Sequence, residues 1–185
     1  AASMNQLPNI ISLARILMVP VVVWLVVIGE LGGAFWVFIA AVISDAVDGF
    51  IAKRFEAVTE VGIYLDPVAD KALLVSIFLA LGAAGLVSRW LVILVVLREV
   101  LIVGGILFSF ALSVPVRARP SILSKVNTSA QMALAAVILA VHGMSWALGS
   151  AASLGIFVVG VLTALSAAQY VWRWSRVAFL EGAKG

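Results

Sequence analysis

Long apolar stretches separated by short polar breaks dominate the chain. Six of these stretches have about the 20 residues that an α-helix needs to cross ~30 Å of hydrocarbon. The breaks contain residues that interrupt helices, such as Gly32-Gly33, Val114-Pro115 and Gly149-Ser150. The pattern predicts an all-α integral membrane protein with six transmembrane helices, at Ile10–Gly29, Gly33–Ile51, Val61–Gly85, Trp90–Leu112, Ile122–Val141 and Ala151–Trp172.

The composition excludes several other classes of protein. Of the 185 residues, 64% are apolar and only 11% are charged, whereas an ordinary soluble domain carries about a quarter charged residues. A disordered chain is excluded because so much apolar surface would not stay solvated. The absence of cysteine removes disulfides, thiolate metal sites and cysteine nucleophiles. With a net charge of only +3 and no long basic tract, no nucleic-acid partner is expected.

The ends of the chain and its basic residues predict how it lies in a membrane. Ala1-Ala2-Ser3, which precede Met4, are expected to be a remnant of expression, so a single membrane domain is expected over 4–185. No removable signal is recognisable. One side of the predicted bundle holds only Arg89, whereas the other holds Lys53, Arg54, Arg117, Arg119, Lys125, Arg173, Arg176 and Lys184. Because cytoplasmic loops are enriched in basic residues, both termini are expected in the cytoplasm, with a bacterial inner membrane as the expected location.

Four aspartates lie at membrane depth in two neighbouring predicted helices. Asp45 and Asp48 are three residues apart near the end of the second helix, and Asp66 and Asp70 are four apart near the start of the third. On an α-helix either spacing places both side chains on one face. Because these helices are consecutive and antiparallel, we expect the two pairs to meet at the cytoplasmic end of the bundle.

Such a cluster of acids points to bound cations. Ionisable groups at membrane depth are costly and usually functional. Four carboxylates that converge in a low dielectric repel one another and take up protons unless cations neutralise them. Oxygen ligands without His or Cys favour Mg²⁺ or Mn²⁺ over Zn²⁺. Two such ions about 3.5–4 Å apart stabilise both ends of a phosphoryl displacement, so the acids favour phosphoryl-transfer chemistry.

The acidic segment resembles the signature of the CDP-alcohol phosphatidyltransferases, D-x2-D-G-x2-A-R-x8-G-x3-D-x3-D. One position departs from it, because Lys53 replaces the arginine. Lysine keeps the charge but cannot bind a phosphate group through two parallel N–H donors. Every acidic and small position of the signature is matched, by Asp45, Asp48, Gly49, Ala52, Gly62, Asp66 and Asp70.

The resemblance implies phosphatidyl transfer from a CDP-linked lipid, CDP-diacylglycerol, to an alcohol, with CMP as the leaving group. It implies that Asp70 is the general base that takes the proton from the acceptor hydroxyl. Two divalent cations, Mg²⁺ or Mn²⁺, would be held by Asp45, Asp48, Asp66 and Asp70. The CDP pocket would be formed by Asp48, Gly49, Ala52, Lys53 and Gly62. Membrane lipids as surroundings and a homodimer are also implied.

A basic segment before the fifth helix is a candidate for binding an anionic acceptor. Lys125 and Thr128 are three residues apart, on one face, near a helix N-terminus whose amides favour phosphate. Arg117 and Arg119 precede them. The alternative interpretation is an ordinary basic loop on the cytoplasmic side.

Two branches of the family fit the chain. Phosphatidylglycerophosphate synthases transfer to glycerol 3-phosphate and cardiolipin synthases to phosphatidylglycerol, and the opening segment, residues 7–15, resembles both. Residues 124–131 are closer to the cardiolipin synthases. Residues 100–110 contain no basic group, which suits a lipid acceptor better than a small dianion. Cardiolipin formation is therefore the favoured prediction and phosphatidylglycerophosphate formation the alternative.

Other polar residues inside the apolar stretches also need a role. Arg98-Glu99 lies mid-span in the fourth helix, where we expect an ion pair with another helix, although Arg98 could also reach a phosphate group from the bundle interior. Arg15 raises the same question in the first helix. His142 is expected to be an interfacial polar residue near the end of the fifth helix.

Two other classes of protein compete with this interpretation. Intramembrane prenyltransferases also bind diphosphate through Mg²⁺, but they resemble a larger helical bundle than six spans. A proton or cation transporter is the non-enzymatic alternative, because an acidic pair inside a membrane can serve as a relay. A transporter predicts flux without nucleotide, whereas the transferase predicts metal-dependent release of CMP.

Overall fold

The computed structural model describes residues 7–55, 60–111, 121–147 and 149–182, with side chains described at residues 14, 16–44, 71–105, 121–147 and 150–176. In this part of the chain every regular element is an α-helix, so the predicted all-α class is confirmed. The helices are α1 Leu7–Val27, α2 Leu31–Phe55, α3 Glu60–Ala83, α4 Arg89–Ala111, α5 Ile122–Gly143 and α6 Gly149–Gly182.

The helix ends lie close to the ends of the apolar stretches, with one exception. Helix α6 has 34 residues and continues ten residues beyond the predicted end at Trp172. The prediction was too short there because hydropathy falls at Arg173, whereas no glycine or proline interrupts the chain between Arg173 and Glu181. In the extension, the Arg176 guanidinium lies 5.7 Å from the ring centroid of Trp172, a cation–π contact one turn apart.

Short turns lie between the helices at one end of the bundle, which we call the loop end, and their described residues are 28–30, 84–88 and 144–147. Gly29 and Gly85 end α1 and α3 with φ of +83° and +74°, a conformation that costs little only in glycine. In each turn the next residue donates its N–H back across the helix end, from Glu30 to the Leu25 carbonyl (2.9 Å) and from Leu86 to the Leu81 carbonyl (2.9 Å). This is the Schellman arrangement, which satisfies carbonyls that a helix end leaves unpaired.

The helices pack partly against their neighbours in the sequence and partly against helices farther along the chain. Helix α1 packs against α2 and α3, α2 against α5, α5 against α6, and α4 against α3 and α6. At the loop end the start of α2 touches the end of α5, where a Cβ on Gly143 would lie 2.5 Å from the Leu31 carbonyl carbon. Because only glycine permits this approach, small residues set the distance between the two backbones.

The apolar core lies toward the loop end. Buried apolar side chains come from the second half of α1 and α3, the first half of α2 and α4, and the second half of α5, and they surround the fully buried Phe38 and Phe78. Near the middle of α4 the buried side chains of Arg98 and Glu99 follow this core, and toward the opposite end of the bundle, which we call the polar end, Asn127 is buried in α5. Among the described side chains, apolar packing therefore dominates toward the loop end, and buried polar side chains lie farther along the bundle.

The outer surface of the bundle is strongly apolar. Every helix exposes a large apolar side chain, for example Leu17 (62% exposed), Ile93 (66%) and Phe157 (65%). A soluble monomer rarely exposes so much contiguous apolar surface, whereas contact with lipid tails makes such a surface favourable. Among the described residues, Ile122–Gly143 and Ser150–Arg176 are long and apolar enough to cross a membrane, and Ile16–Val27, Leu31–Ser44 and Lys71–Ala83 are shorter apolar helices. These features indicate association with a membrane.

Candidate active site

The four predicted metal ligands lie on the polar halves of two helices. Asp45 and Asp48 belong to the second half of α2, and Asp66 and Asp70 to the first half of α3. Both stretches are continuous α-helix, so each pair shares one face by register. The side chains of all four, and those of Gly49, Ala52, Lys53 and Gly62, lie outside the described part of the chain. Their convergence therefore stays a prediction, and among the described side chains no group of three or more His, Cys, Asp or Glu could hold a metal.

A buried cluster of charges begins one residue after Asp70. The Lys71 Nζ donates to Glu99 Oε2 over 2.5 Å, and Arg98 Nη1 donates to Glu99 Oε1. Arg98 is only 2% exposed and Glu99 4% exposed, whereas the Lys71 side chain is 29% exposed. The predicted ion pair between Glu99 and another helix is confirmed, and its partner is Lys71 on α3.

The guanidinium of Arg98 joins this cluster to the beginning of α5. Its Nη2 donates to the Ser124 hydroxyl (2.5 Å) and carbonyl (3.3 Å), and its Nη1 lies 3.4 Å from the Thr128 hydroxyl. The helix starts at Ile122 because Ser121 caps it, its hydroxyl accepting the Ser124 N–H over 3.1 Å. Capping by serine satisfies one of the free N–H groups of a first turn, so this turn is fixed from both sides.

A second buried polar group joins α5 to α6. The Gln131 Nε2 donates to the Thr163 hydroxyl over 3.0 Å, and that hydroxyl donates to Asn127 Oδ1 over 2.9 Å. All three side chains are fully buried. Exchanging the amide oxygen and nitrogen of both Asn127 and Gln131 would leave the same number of unpaired polar atoms. The reason is that the single hydroxyl of Thr163 bonds both amide groups. As placed, Asn127 Nδ2, Gln131 Oε1 and Arg98 Nε have no hydrogen-bond partner within the described structure.

The polar stripe of α5 is a feature that the sequence reasoning missed. It consists of Ser124, Asn127, Thr128 and Gln131, at positions i, i+3, i+4 and i+7, which is the spacing of one helix face. The spacing itself was a usable signal, because a polar face on an otherwise apolar membrane helix must point into the protein. The bond between Lys71 and Glu99 was also not predicted from the sequence.

The residues predicted to bind the acceptor have different surroundings. Lys125 is exposed, whereas Thr128 is half-buried and faces Arg98. Residues three apart differ by about 60° around a helix, and here that angle separates the exposed surface from the interior. Arg117 and Arg119 lie outside the described residues, and the side chain of Arg15 does too.

The remaining expectations concern α4 and the end of α5. His142 is exposed in the last turn of α5, where its Nδ1 lies 2.9 Å from the Ile138 carbonyl, as expected for an interfacial polar residue. In α4, Val100 and Val103 are exposed, and Leu101 and Gly105 line an apolar groove beside Tyr170 of α6. Over the described residues 100–105, the absence of basic side chains therefore fits a position at the surface of the bundle.

Comparison with known proteins identifies the family. A sequence model described as CDP-alcohol phosphatidyltransferase matches residues 5–177, which is nearly the whole chain and includes α1 to α5 and most of α6. The chain belongs to the CDP-alcohol phosphatidyltransferase family. The resemblance drawn from residues 45–70 is therefore confirmed.

The relatives of this family member have names of two kinds, glycerol-3-phosphate phosphatidyltransferase and cardiolipin synthase. The chain is 33% identical over 151 residues to CDP-diacylglycerol--glycerol-3-phosphate 3-phosphatidyltransferase 1, chloroplastic, of Oryza sativa, covering 72% of this chain and 46% of that protein. It is 29% identical over 157 residues to the CMP-forming cardiolipin synthase of Rattus norvegicus, covering 76% and 52%. It is 31% identical over 185 residues to the CDP-diacylglycerol--glycerol-3-phosphate 3-phosphatidyltransferase of Bacillus subtilis, covering 90% and 94%. The chain thus spans about half the length of the rice and rat relatives and nearly all of the Bacillus one.

Proposed function

We propose that the protein transfers a phosphatidyl group from CDP-diacylglycerol to the hydroxyl of a glycerol-bearing acceptor and releases CMP. The observation that carries this proposal is the acidic signature between Asp45 and Asp70, which falls on two continuous helices with both pairs at spacings that share a face. The family match over residues 5–177 and the phosphatidyltransferase names of the relatives support it.

Each acidic residue has a proposed task. The donor set of Asp45, Asp48, Asp66 and Asp70 is oxygen only, which fits two divalent cations of the Mg²⁺ or Mn²⁺ type. When bound, such ions neutralise charge on the pyrophosphate of the donor. Asp70 accepts the proton of the acceptor hydroxyl. The oxygen so activated attacks the phosphorus that carries the diacylglycerol, and CMP leaves with the electron pair of the broken P–O bond.

The small residues and the lysine of the signature are proposed to hold the nucleotide. Gly49, Ala52 and Gly62 leave room beside the two helix backbones, where a larger side chain would occupy the space of the CDP moiety. Asp48 lies on the same part of α2. Lys53 is proposed to neutralise part of the pyrophosphate charge as a single ammonium, with less geometric control than an arginine would give.

The charges around Glu99 support an anionic acceptor. Lys71 and Arg98 contribute two positive charges against the single carboxylate of Glu99, so these three side chains carry a net positive charge. The buried Arg98 Nε has no partner in the described structure. A phosphate group near the start of α5 would balance this charge, with Lys125, Thr128, Arg117 and Arg119 as the proposed acceptor-binding residues.

Two acceptors remain candidates, and both are glycerol joined to a phosphate. Phosphatidylglycerol, which would give cardiolipin, is favoured by the resemblance of residues 124–131. Glycerol 3-phosphate is favoured by the names of the rice and Bacillus relatives, at 33% and 31% identity against 29% for the rat cardiolipin synthase. Either acceptor would present a free hydroxyl to Asp70 and a phosphate to the basic residues near α5.

The proposed active site faces the cytoplasm at the polar end of six membrane-crossing helices. Support comes from the apolar surface on every helix and from the distribution of basic residues, which leaves only Arg89 at the loop end among the arginines and lysines. The exposed Trp24, Trp36, Trp90 and Trp146 lie toward the loop end, where the opposite interface would be. A homodimer in the membrane is part of the same proposal.

The test is product formation by the purified protein in lipid–detergent micelles. CDP-diacylglycerol is supplied with glycerol 3-phosphate, phosphatidylglycerol or no acceptor, and released CMP and labelled lipid are measured. We expect CMP release with at least one acceptor, its loss on addition of EDTA, and its recovery with Mg²⁺ or Mn²⁺. A different result would contradict the proposed enzyme and favour the transporter alternative. That result is the absence of CMP release under all these conditions, together with cation flux into sealed vesicles that contain the protein.

A further inference from the structure

We propose that Glu99 is a positioning residue. It fixes α3, the helix that carries the proposed base, in one position relative to the first turns of α5. The inference rests on the proposed phosphatidyl transfer and adds a residue that lies outside the family's acidic signature. Its basis is a single buried carboxylate that binds one cation from α3 and one from its own helix, the latter bound to α5.

Both oxygens of the Glu99 carboxylate are in use. Oε2 accepts from Lys71 at 2.5 Å and Oε1 accepts from Arg98. Glu99 is 4% exposed and Arg98 2% exposed, so little water is available to replace either bond. A buried charge that loses its partner is left with most of its desolvation cost. The carboxylate is therefore held strongly by both cations, and of the two Arg98 is the more deeply buried.

The bond between Glu99 and Lys71 acts on α3. Lys71 follows Asp70 directly in the helix, so fixing the Lys71 side chain fixes the rotation of the turn that carries Asp70. A base must lie within hydrogen-bond reach of the proton that it removes. A small rotation of this turn would lengthen that distance, and the expected consequence is a slower chemical step.

The bond between Glu99 and Arg98 acts on α5. The guanidinium that binds Glu99 also contacts the Ser124 hydroxyl, the Ser124 carbonyl and the Thr128 hydroxyl. These groups lie in the first two turns of α5, next to Lys125, which is the exposed cation proposed to bind the acceptor. If Arg98 lost its orientation, this turn would move relative to α3, and the expected consequence is weaker binding of the acceptor.

A purely stabilising role predicts a different result. Buried ion pairs often add little net stability, and variants that break them lose folded protein. Loss of folded protein lowers the measured maximal rate but leaves the KM of each substrate unchanged, because the remaining molecules are normal. A split between kcat and KM among the variants therefore distinguishes positioning from stability.

The experiment measures kcat and both KM values by CMP release for four variants. Lys71→Met is expected to lower kcat about tenfold with the acceptor KM nearly unchanged, and Arg98→Met to raise the acceptor KM about tenfold. Glu99→Gln is expected to do both. Glu30→Gln is the matched control, because Glu30 is exposed in the loop-end turn at residues 28–30 and its loss should leave all parameters unchanged.

A fifth variant keeps the test decisive if Glu99→Gln does not fold. Glu99→Asp retains the charge but is one methylene shorter, so it cannot reach both cations from the same backbone position. We expect it to fold and to show the same two changes at smaller size. Wild-type values of kcat and acceptor KM in Glu99→Asp or Glu99→Gln, or a lower kcat without any change in KM, would overturn the inference. Wild-type protein without CMP release would instead overturn the proposed function itself.

Discussion

At position 70 a carboxylate and an amide have nearly the same size, but only the carboxylate accepts a proton from an alcohol at neutral pH. Asp70→Asn therefore removes the proposed base while an oxygen stays available to a cation. A positioned base contributes about a hundredfold to ten-thousandfold to a rate, so we expect CMP release to fall by that range. Binding of CDP-diacylglycerol, measured separately with labelled donor, should change little. Near-normal turnover in this variant would contradict the assignment of the base.

Lys125 is the one described cation that is both exposed and placed in the first turn of α5. If it binds the acceptor phosphate, Lys125→Ala should raise the acceptor KM about tenfold and the donor KM much less, because a charge-assisted hydrogen bond is lost at one substrate only. Initial rates at varied concentrations of each substrate measure this. Lys125→Arg is the matched control and should retain most of the affinity. Equal changes in both KM values would indicate a structural role.

For individual residues, the sequence predicted which groups need a partner but not which residues those partners are. The spacing of the four aspartates and the need for a partner at Glu99 were readable, because charges inside a membrane must be compensated. The identity of that partner was not, since Lys71 and Glu99 are 28 positions apart and nothing local relates them. Thr128 was grouped with Lys125 by spacing, but the boundary between surface and interior runs between them and depends on how α4 packs.

At the scale of helices, hydropathy was sufficient for five of the six elements. Hydropathy locates the apolar part of a helix, and where a glycine follows the helix end, as at Gly29 and Gly85, the predicted and observed ends agree within two residues. Helix α6 continues into a polar segment that has no interrupting residue, so its end was placed ten residues too early. Helix length at the polar end is therefore set by helix breakers and less by the membrane.

The contact between α2 and α5 provides a test at this scale. A Cβ on Gly143 would lie 2.5 Å from the backbone of Leu31 and Gly32, and a backbone cannot move as a side-chain tip does. Gly143→Ala should therefore destabilise the protein by about 1–3 kcal/mol, the usual cost of overpacking. Thermal unfolding in detergent measures this as a lower Tm.

Gly104→Ala is the control for that prediction. Gly104 is also inside a helix, but a Cβ there would meet nothing within 4 Å. Because alanine favours helix over glycine by up to about 1 kcal/mol, this variant should keep or slightly raise the Tm. An unchanged Tm in Gly143→Ala would mean that the start of α2 and the end of α5 do not approach as closely as the structure has them.

At the scale of the whole molecule, the two ends of the bundle have different physical tasks. The loop end contains short turns, glycine contacts and the fully buried Phe38 and Phe78. The buried charges around Glu99 lie near the middle of the bundle, and the polar end contains the helix halves that carry the acidic signature. Charged groups buried in a membrane protein are costly, and the apolar packing at the loop end helps to offset that cost.

This division predicts a fixed orientation in the membrane. The chain has no cysteine, so a single introduced cysteine is the only target of a maleimide. Ser88 is exposed at the loop end, and Lys184 belongs to the C-terminal segment that basic residues are expected to keep in the cytoplasm. In sealed right-side-out vesicles, a membrane-impermeant maleimide should label Ser88→Cys at once and Lys184→Cys only after permeabilisation, and inverted vesicles should give the opposite order. Equal labelling of both positions, or the reverse order, would mean that the acidic residues of α2 and α3 do not face the cytoplasm, where soluble CMP would be released.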